Sequence, residues 1–189
     1  MSPIKSSTLD KIVHNHQQTI FFLLNTPNRM DGELIEEVNS AMHEVIPDLK
    51  RFAEDNLDYS IKFCCMEFGH SPRWMGCADI LDYVWLDVLS TGGNALGGAY
   101  HLLNSALSRQ EGGFMQRHFN CIPIIILLLG ATPWDDVESG LEVLKKTNGF
   151  NIQLKSQLRW IMIPIHIFTN TCWTSRWMKM PLFMQMRQI

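Results

Sequence analysis

An α/β fold with a doubly wound, mostly parallel sheet is predicted by two buried apolar runs and by the helices around them. The runs TIFFLL (residues 19–24) and CIPIIILLLG (121–130) are almost entirely apolar. Such runs are typical of strands covered on both faces. Amphipathic segments follow both of them, so strand and helix alternate along the chain. This alternation favours a parallel sheet with helices on both sides.

The first helix is predicted to follow the turn after residue 24. Asp31 is expected to cap it, and apolar residues recur at helical spacing through Leu34 to Ile46, with glutamates in the first half. Pro47 is not expected to be a firm stop, and the helix is expected to resume beyond it. Residues 59–69, YSIKFCCMEFG, alternate enough to be a strand.

The middle of the chain combines turns, glycine and further helices. GHSPRWMG (69–76) is predicted to be a turn-rich stretch, followed by a short strand or extended piece near residues 84–86. Residues 90–110 are expected to form a glycine loop that leads into a helix. Residues 135–149 are expected to form another helix, with acidic residues at its start, lysines at its end and Gly149 as its stop.

Composition and charge limit the functional classes. With 189 residues the chain suits a single domain, and 46% hydrophobic with 19% charged residues indicates a globular body. A net charge of −3 gives no basic surface for nucleic acid, so no nucleic-acid partner is expected. No apolar stretch of about 18 residues is present, so no membrane partner is expected either. The N-terminus lacks the apolar core of a signal peptide, and a cytoplasmic location is predicted.

The cysteines are odd in number and form no CxxC motif. They are predicted to be buried free thiols in a reducing cytosol. Adjacent Cys64 and Cys65 are expected to point to opposite faces of their strand. The full set is Cys64, Cys65, Cys77, Cys121 and Cys172.

Three regions are distinguished along the chain. Residues 1–17 form a polar leader, in which His14 and His16 are interpreted as an incidental pair because no third metal ligand is near. Residues 18–150 form the α/β domain. Residues 151–189 form an atypical tail, rich in Trp and Met and without Asp, Glu or Gly.

Three segments in order resemble a von Willebrand factor type A (vWA) domain, most closely the bacterial tellurite-resistance TerY-like branch. They are FFLLNTPNRMDGELIEEVNSAM, STGGNALGGAYHLL and PIIILLLGATPWDDVESGLEVLKK. The resemblance implies a Rossmann-like fold with a binding site at the carboxyl edge of the sheet. In such domains the site is a metal-ion-dependent adhesion site (MIDAS). It takes Asp-x-Ser-x-Ser after the first strand, a threonine from the glycine loop and an aspartate after the fourth strand, and it holds a cation such as Mg²⁺.

Carried onto this sequence, the motif is degenerate. The first aspartate position holds Asn25, and the two serine positions hold Pro27 and Arg29. The threonine position holds Asn94, and the second aspartate position holds Gly130. No carboxylate remains, and Arg29 places a cation where the metal would lie. No metal and no cofactor are therefore expected.

The predicted function is non-catalytic, metal-independent protein binding, beside partners of stress-response or tellurite-resistance type. The expected partner-binding residues are Asn28, Arg29, Asn94 and Trp134. Arg29 either replaces the charge of the metal and binds an acidic partner or is a solvated turn residue. Two alternatives stay open: a Mg²⁺-dependent adhesion module that uses a substitute ligand such as Asp135, and a truncated product without function.

Other motifs carry weaker predictions. TGGNALGG lacks the Gly-Lys-Ser/Thr ending of a phosphate-binding loop. Asp135 and Asp136 resemble a metal pair but are better explained as helix-start residues. In GHSPRWMG, Trp74 is either an exposed binding anchor or tucked against its own domain. No nucleophile, base and orienting group stand at readable spacing, so no enzyme activity is predicted.

The tail is interpreted as a frameshift product, with the shift near residues 148–152. Trp and Met have single codons, so the bases of WIMIPI (160–165) are partly fixed, and reading them one base earlier yields aspartates. The resemblance implies an acidic turn at this place. If the frame is shifted, the sheet lacks its last strands and helices, and the strand of residues 121–130 lies exposed at an edge. Alternatively, WIMIPIHIF partly replaces the next strand, although Pro164 lacks a donor.

Overall fold

The fold is a five-stranded, mostly parallel sheet with helices on both faces. The computed structural model describes residues 16–108, 123–146 and 159–164. The strand order is β3-β2-β1-β4-β5, and only the edge strand β3 is antiparallel to its neighbour. The strands are β1 His16–Leu24, β2 Tyr59–Phe68, β3 Pro72–Asp79, β4 Ile124–Leu129 and β5 Arg159–Pro164. The predicted α/β class is confirmed.

The helices are α1 Glu33–Asp55, α2 Leu96–Leu107 and α3 Val137–Lys146, and a 3-10 turn spans Asn28–Met30. Pro47 lies within α1 without ending it, as predicted. The predicted cap is wrong, because Gly32 and not Asp31 precedes the helix, and no side chain caps it. Gly32 has a φ of +81°, a backbone conformation that aspartate adopts only with strain. No helix among the described residues is long and apolar enough to cross a membrane.

The region between β2 and α2 differs from the sequence prediction. The turn predicted over residues 69–76 covers only its first part, and β3 begins at Pro72. A proline is compatible with the first position of an edge strand. Of the two forms predicted for residues 84–86, the strand is wrong, because β3 already occupies the edge of the sheet beside β2.

Two apolar cores lie on opposite faces of the sheet. Ile20, Phe22 and Leu24 of β1 point toward α1, while Phe21 and Leu23 point toward α2 and α3. Successive strand residues face opposite sides, so a strand buried on both faces must be apolar throughout. This explains the uninterrupted run in β1.

The same alternation separates the adjacent cysteines, as predicted. Cys64 lies in the core beneath α2, and Cys65 lies in the core beneath α1. The prediction of free thiols is correct for Cys65 but wrong for Cys64, which forms a disulfide with Cys77. The two residues are direct partners in the antiparallel β2–β3 pairing, a relation set by the strand register. Cys121 and Cys172 lie outside the described residues.

We expect the Cys64–Cys77 bond to protect two thiols from alkylation in the unfolded protein. Denatured protein treated with iodoacetamide should gain two further adducts only after reduction, and peptide mass spectrometry should place them on Cys64 and Cys77. A loop of about this size contributes roughly 3 kcal/mol through the unfolded chain. Alkylation of both cysteines without reductant would contradict the bond.

Burial makes the Cys65 thiol a much weaker acid than an exposed thiol. Removal from water raises the pKa of its thiol to about 12, partly offset by a hydrogen bond with Tyr83. The unfolded chain releases this proton near the ordinary thiol pKa of 9.0, whereas the folded chain keeps it. The unfolded state therefore binds fewer protons, and stability should fall as the pH rises from 9 toward 12.

For one titrating group, we expect the free energy of unfolding to fall by up to about 1.4 kcal/mol per pH unit. Denaturant titrations of the wild type and of Cys65→Ala between pH 8 and pH 11 measure it. The free energy of unfolding should decline less steeply in the variant. Equal slopes in the two proteins would show that Cys65 does not cause the decline.

The open edge of β4 is covered by β5, which lies within the tail. Residues Ile124–Leu129 pair in parallel with Arg159–Pro164. Of the two alternatives for the tail, the replacement strand is the one observed. Pro164 lies at the last position of β5, where the missing donor removes least from the ladder. The frameshift itself stays a prediction.

Candidate functional site

The candidate site is the carboxyl edge of the sheet, where the loops after the parallel strands meet. We define this carboxyl edge as residues 25–32, 69–71, 90–95 and 130–136. The first, second and fourth segments follow β1, β2 and β4, while residues 90–95 lead into α2. Ligands of open α/β sheets bind at such an edge.

Asn25 is the structural centre of the carboxyl edge. Its side chain is fully buried. The amide nitrogen donates to Phe68 O at 2.8 Å, and the amide oxygen accepts from Gly130 N at 3.1 Å. One side chain thus joins the ends of β2 and β4 across β1. The sequence suggested two of the positions, Asn25 and Gly130, but not that they bond to each other.

The loop that precedes α2 is fastened to the end of β1 by a second group of hydrogen bonds. Thr26 O accepts from Thr91 N at 2.9 Å and from Gly92 N at 3.1 Å. The two threonine hydroxyl oxygens lie 2.7 Å apart. Ser90 Oγ donates to Pro27 O at 3.1 Å. Sequence reasoning missed this threonine pair, because no local pattern links residues so far apart in the chain.

Asn94 was predicted to bind a partner, but its side chain does not reach the surface. It is 2% exposed. Its amide nitrogen donates to Ala131 O, and its backbone oxygen accepts from Trp134 N at 3.2 Å. Within the described residues its amide oxygen has no partner. Asn94 therefore positions the loop that carries Trp134, and its role in partner binding stays a prediction.

Asn28 and Arg29 are the exposed part of the β1 loop. Asn28 lies against Gly92, so that a Cβ added to Gly92 would be 2.8 Å from Asn28 Oδ1. Gly92 has a φ of +76°, which also favours glycine there. Arg29 is in the 3-10 turn, and the structure gives its guanidinium no hydrogen bond or ion pair among the described residues.

Trp134 is 61% exposed and stacks on His70. The ring centroids are 5.7 Å apart and the planes are tilted by 23°. This pair joins the loop after β2 to the loop after β4, and no sequence pattern predicted it. Because its backbone is tied to Asn94, the indole is held in place at the surface.

Arg73 and Trp74 of GHSPRWMG do not belong to the site. Arg73 Nε donates to Glu67 Oε1 at 3.0 Å, within β2 and β3. Trp74 packs near Phe21, with ring centroids 6.0 Å apart. Trp74 is thus tucked against its own domain, the second of the two alternatives considered for it.

Asp135 and Asp136 both accept hydrogen bonds at the start of a helix, but the two helices differ. Asp135 accepts from Gly97 N at 2.9 Å through Oδ1 and from Gly98 N at 2.8 Å through Oδ2, at the beginning of α2. Asp136 Oδ1 accepts from Ser139 N at 3.0 Å, in the first turn of α3. A carboxylate at a helix start is stabilised by free N–H groups and by the helix dipole.

The residues at the five positions that the sequence resemblance assigns to a MIDAS do not fit a hard divalent cation. Such a cation requires several oxygen ligands, usually including carboxylates. Both amide atoms of Asn25 are already bonded, Pro27 has no side-chain oxygen, and Arg29 is positive. At these positions, Asn94 Oδ1 is a side-chain oxygen without a hydrogen-bond partner among the described residues. The described residues contain no group of three or more His, Cys, Asp or Glu side chains suited to a metal.

No protein-family model and no curated protein matches this chain significantly. Solved structures do match it. Proximal thread matrix protein 1 from the mussel byssus is 15% identical with a TM-score of 0.45, over 79% of this chain and 38% of that one. The SpRpn10 VWA domain is 15% identical with a TM-score of 0.44, over 78% of this chain and 88% of that one.

A further structure of the mussel protein, described with a zinc-occupied MIDAS motif, is 11% identical with a TM-score of 0.40, over 81% of this chain and 37% of that one. This chain thus spans well under half of the mussel protein. All these TM-scores are below 0.5, so the fold is assigned from the sheet order itself. The fold is a doubly wound α/β sheet.

Proposed function

We propose that this chain is a non-catalytic, vWA-like protein-binding module that binds an acidic partner segment at its carboxyl edge without a metal ion. The observation that carries the proposal is the double hydrogen bond of Asn25. It occupies the first MIDAS position with a link between strand ends, where a metal-binding domain would place a carboxylate ligand.

Charge at the neighbouring turn supports the choice of partner. A MIDAS cation attracts a carboxylate of the partner, and Arg29 supplies a positive group beside the same strand end. Its guanidinium is exposed and has no acidic neighbour bonded to it in the described part of the chain. An arginine can bind a carboxylate through two parallel hydrogen bonds.

The exposed indole of Trp134 supports the same surface. Tryptophan and arginine are the residues most enriched at the energetic centres of protein interfaces. The stack on His70 and the backbone bond to Asn94 fix the indole before a partner arrives. A fixed side chain loses little conformational entropy on binding.

We expect Arg29→Ala to weaken binding of an acidic peptide at least tenfold. Fluorescence anisotropy with the labelled peptide Gly-Glu-Glu-Tyr-Glu-Glu-Gly measures the affinity. The control is Arg51→Ala, which removes an equal charge from an exposed arginine of α1 that is paired with Asp48. A lost charge-assisted hydrogen bond is worth about 1.5–3 kcal/mol, which corresponds to tenfold or more. Failure of the wild type to bind the peptide, or equal affinities in both variants, would overturn the acidic-partner proposal.

One observation favours the Mg²⁺-dependent alternative, namely the unpartnered oxygen of Asn94. Against it, Asp135 already accepts two backbone hydrogen bonds and is a poor substitute ligand. We expect the melting midpoint to be the same in 5 mM MgCl₂ and in EDTA. A ligand that binds only the folded state at about 100 times its Kd would add roughly 2.7 kcal/mol. A reproducible rise of the midpoint with Mg²⁺, absent with an equal ionic strength of NaCl, would support the alternative.

The association with stress-response or tellurite-resistance partners rests on the sequence resemblance alone, as does the bacterial origin. The frame of residues 151–189 is tested by sequencing the gene across codons 145–165. A missing or extra base there would mean that the native protein continues with an acidic turn and a completed sheet, and that the tail of residues 151–189 has no function to explain. An unchanged frame would make β5 a native element.

A further inference from the structure

A second surface lies on the α1 face of the molecule, in the connection between β3 and α2. Residues 83–86 of this connection alternate between buried and exposed positions. Tyr83 and Trp85 are buried in the core beneath α1. Val84 and Leu86 are 70% and 65% exposed, and Leu89 beyond them is 73% exposed. A two-residue alternation is the geometry of an extended strand, and so many exposed aliphatic side chains in one short stretch indicate an interaction site.

This stretch is held rigidly by α1. The Asn39 side chain donates to Val88 O at 3.0 Å and accepts from Val88 N at 2.9 Å and from the Trp85 indole at 3.3 Å. His43 Nε2 lies 2.7 Å from Asp87 Oδ1. The outward side chains are therefore presented in one conformation, which reduces the ordering cost of binding.

The peptide groups of the stretch are available for pairing. Within the described residues, no backbone hydrogen bond involves residues 84–87, whereas the flanking residues Tyr83 and Val88 are bonded. An extended backbone with free N–H and C=O groups is a template for an added strand.

The charge of the stretch defines the partner. No lysine or arginine occurs between Arg73 and Arg109. Asp82 and Asp87 flank Val84 and Leu86, and both are exposed. Two basic side chains of α1 lie beside the stretch: His43 contacts Asp87, and Lys50 donates to Leu81 O rather than to a carboxylate. A complementary segment therefore has apolar residues at alternate positions and lysine or arginine at its ends. A second copy of this stretch would bring like charges together, which disfavours self-pairing.

We propose that residues 84–87 are a strand-addition site for an extended, apolar segment of a partner protein flanked by basic residues. The segment pairs with the backbone of these residues and packs its alternate side chains against Val84 and Leu86. This site uses none of the side chains assigned to the carboxyl edge, so it stands or fails independently of the proposed function.

The test uses the labelled peptide Lys-Arg-Val-Thr-Val-Thr-Val-Lys-Arg with the full chain. We expect Val84→Ser combined with Leu86→Ser to weaken binding at least tenfold. The control is Leu57→Ser, the same chemical change at an exposed leucine in the turn before β2. Because all three side chains are exposed, the melting midpoints should stay close to that of the wild type.

Two further probes separate strand addition from general hydrophobic or charge attraction. A peptide with N-methyl groups on alternate residues keeps its side chains but loses ladder donors, and it should bind at least tenfold more weakly. A peptide with Glu in place of Lys and Arg should also bind more weakly. Equal binding of the methylated peptide, or an unchanged affinity of the double variant, would overturn the proposal. Dimerisation in sedimentation experiments that the double variant abolishes would do the same, because the occupant would then be a second copy.

Discussion

Replacing Asn25 by aspartate is expected to lower the free energy of unfolding by about 3 kcal/mol or more at pH 7. The two side chains are nearly equal in size, so the change tests hydrogen bonding and charge rather than packing. The amide nitrogen that donates to Phe68 O at 2.8 Å becomes a carboxylate oxygen. Gly130 N can still donate to one carboxylate oxygen, but the other oxygen would face the Phe68 carbonyl oxygen without a donor in a fully buried position. Chemical denaturation measures the loss.

The stability loss of Asn25→Asp should also depend on pH, which provides a second test of the substitution. The buried carboxylic acid can donate to Phe68 O only while it is protonated, so its pKa in the folded state should lie above the unfolded value of about 3.9. The folded state then binds more protons than the unfolded state. The loss should therefore be small near pH 4 and should grow as the pH rises.

Asn28→Asp is the matched control for Asn25→Asp. It introduces the same charge into the same loop at an exposed position. We expect it to change stability by less than about 0.5 kcal/mol. Similar effects of the two substitutions would show that the hydrogen bonds of Asn25 do not organise the carboxyl edge. A gain of stability with Mg²⁺ in Asn25→Asp alone would show that one carboxylate is enough to restore metal binding.

Replacing Gly97 by alanine is expected to destabilise the protein by about 2 kcal/mol or more. Here α2 and α3 approach each other backbone to backbone. A Cβ on Gly97 would lie 2.3 Å from Asp136 O, and a Cβ on Gly140 would lie 2.5 Å from Gly97 O. Backbone atoms cannot turn aside as a side chain does, so the two helices must separate. This would also disturb the hydrogen bonds from Gly97 and Gly98 to Asp135.

Gly98→Ala is the control for Gly97→Ala, because it lies in the same turn of α2 and gains the same helix propensity. The nearest atom to its added Cβ is Pro72 Cγ at 3.2 Å, a side-chain contact that can adjust. An alanine in a helix is favoured over glycine by about 1 kcal/mol. We therefore expect Gly98→Ala to be neutral or slightly stabilising in thermal and denaturant unfolding. Destabilisation of both variants to the same extent would place the cause in the helix itself rather than in the contact with α3.

The sequence allowed the central strands and the helices to be predicted because their burial is periodic or continuous. β1 and β4 are apolar on both faces, and the apolar residues of α1 recur every three or four positions, which kept the helix intact through Pro47. β3 was missed because an edge strand is only partly buried. With Pro72 at its start and Gly76 inside, its residues match a turn as well as a strand.

The location of the candidate site could be predicted from the sequence, but the contacts of its side chains could not. Resemblance placed Asn25 and Asn94 at the carboxyl edge, yet their roles depend on contacts between distant parts of the chain. Asn25 bonds residues that are 43 and 105 positions away. The Cys64–Cys77 pair likewise depends on the register of two strands. A local sequence pattern cannot predict contacts between residues that are so far apart along the chain.

The position of β1 in the sheet has a consequence for synthesis of the protein. β1 pairs with β2 on one side and with β4 on the other, but β4 begins only at Ile124, long after β3 has ended at Asp79. A ribosome adding about 5–20 residues per second needs on the order of a few seconds to cover this interval. During that time the nascent chain can complete only one side of its central strand. The other side is an uncovered apolar edge, which makes this interval the point at which a chaperone is most needed and aggregation is most probable.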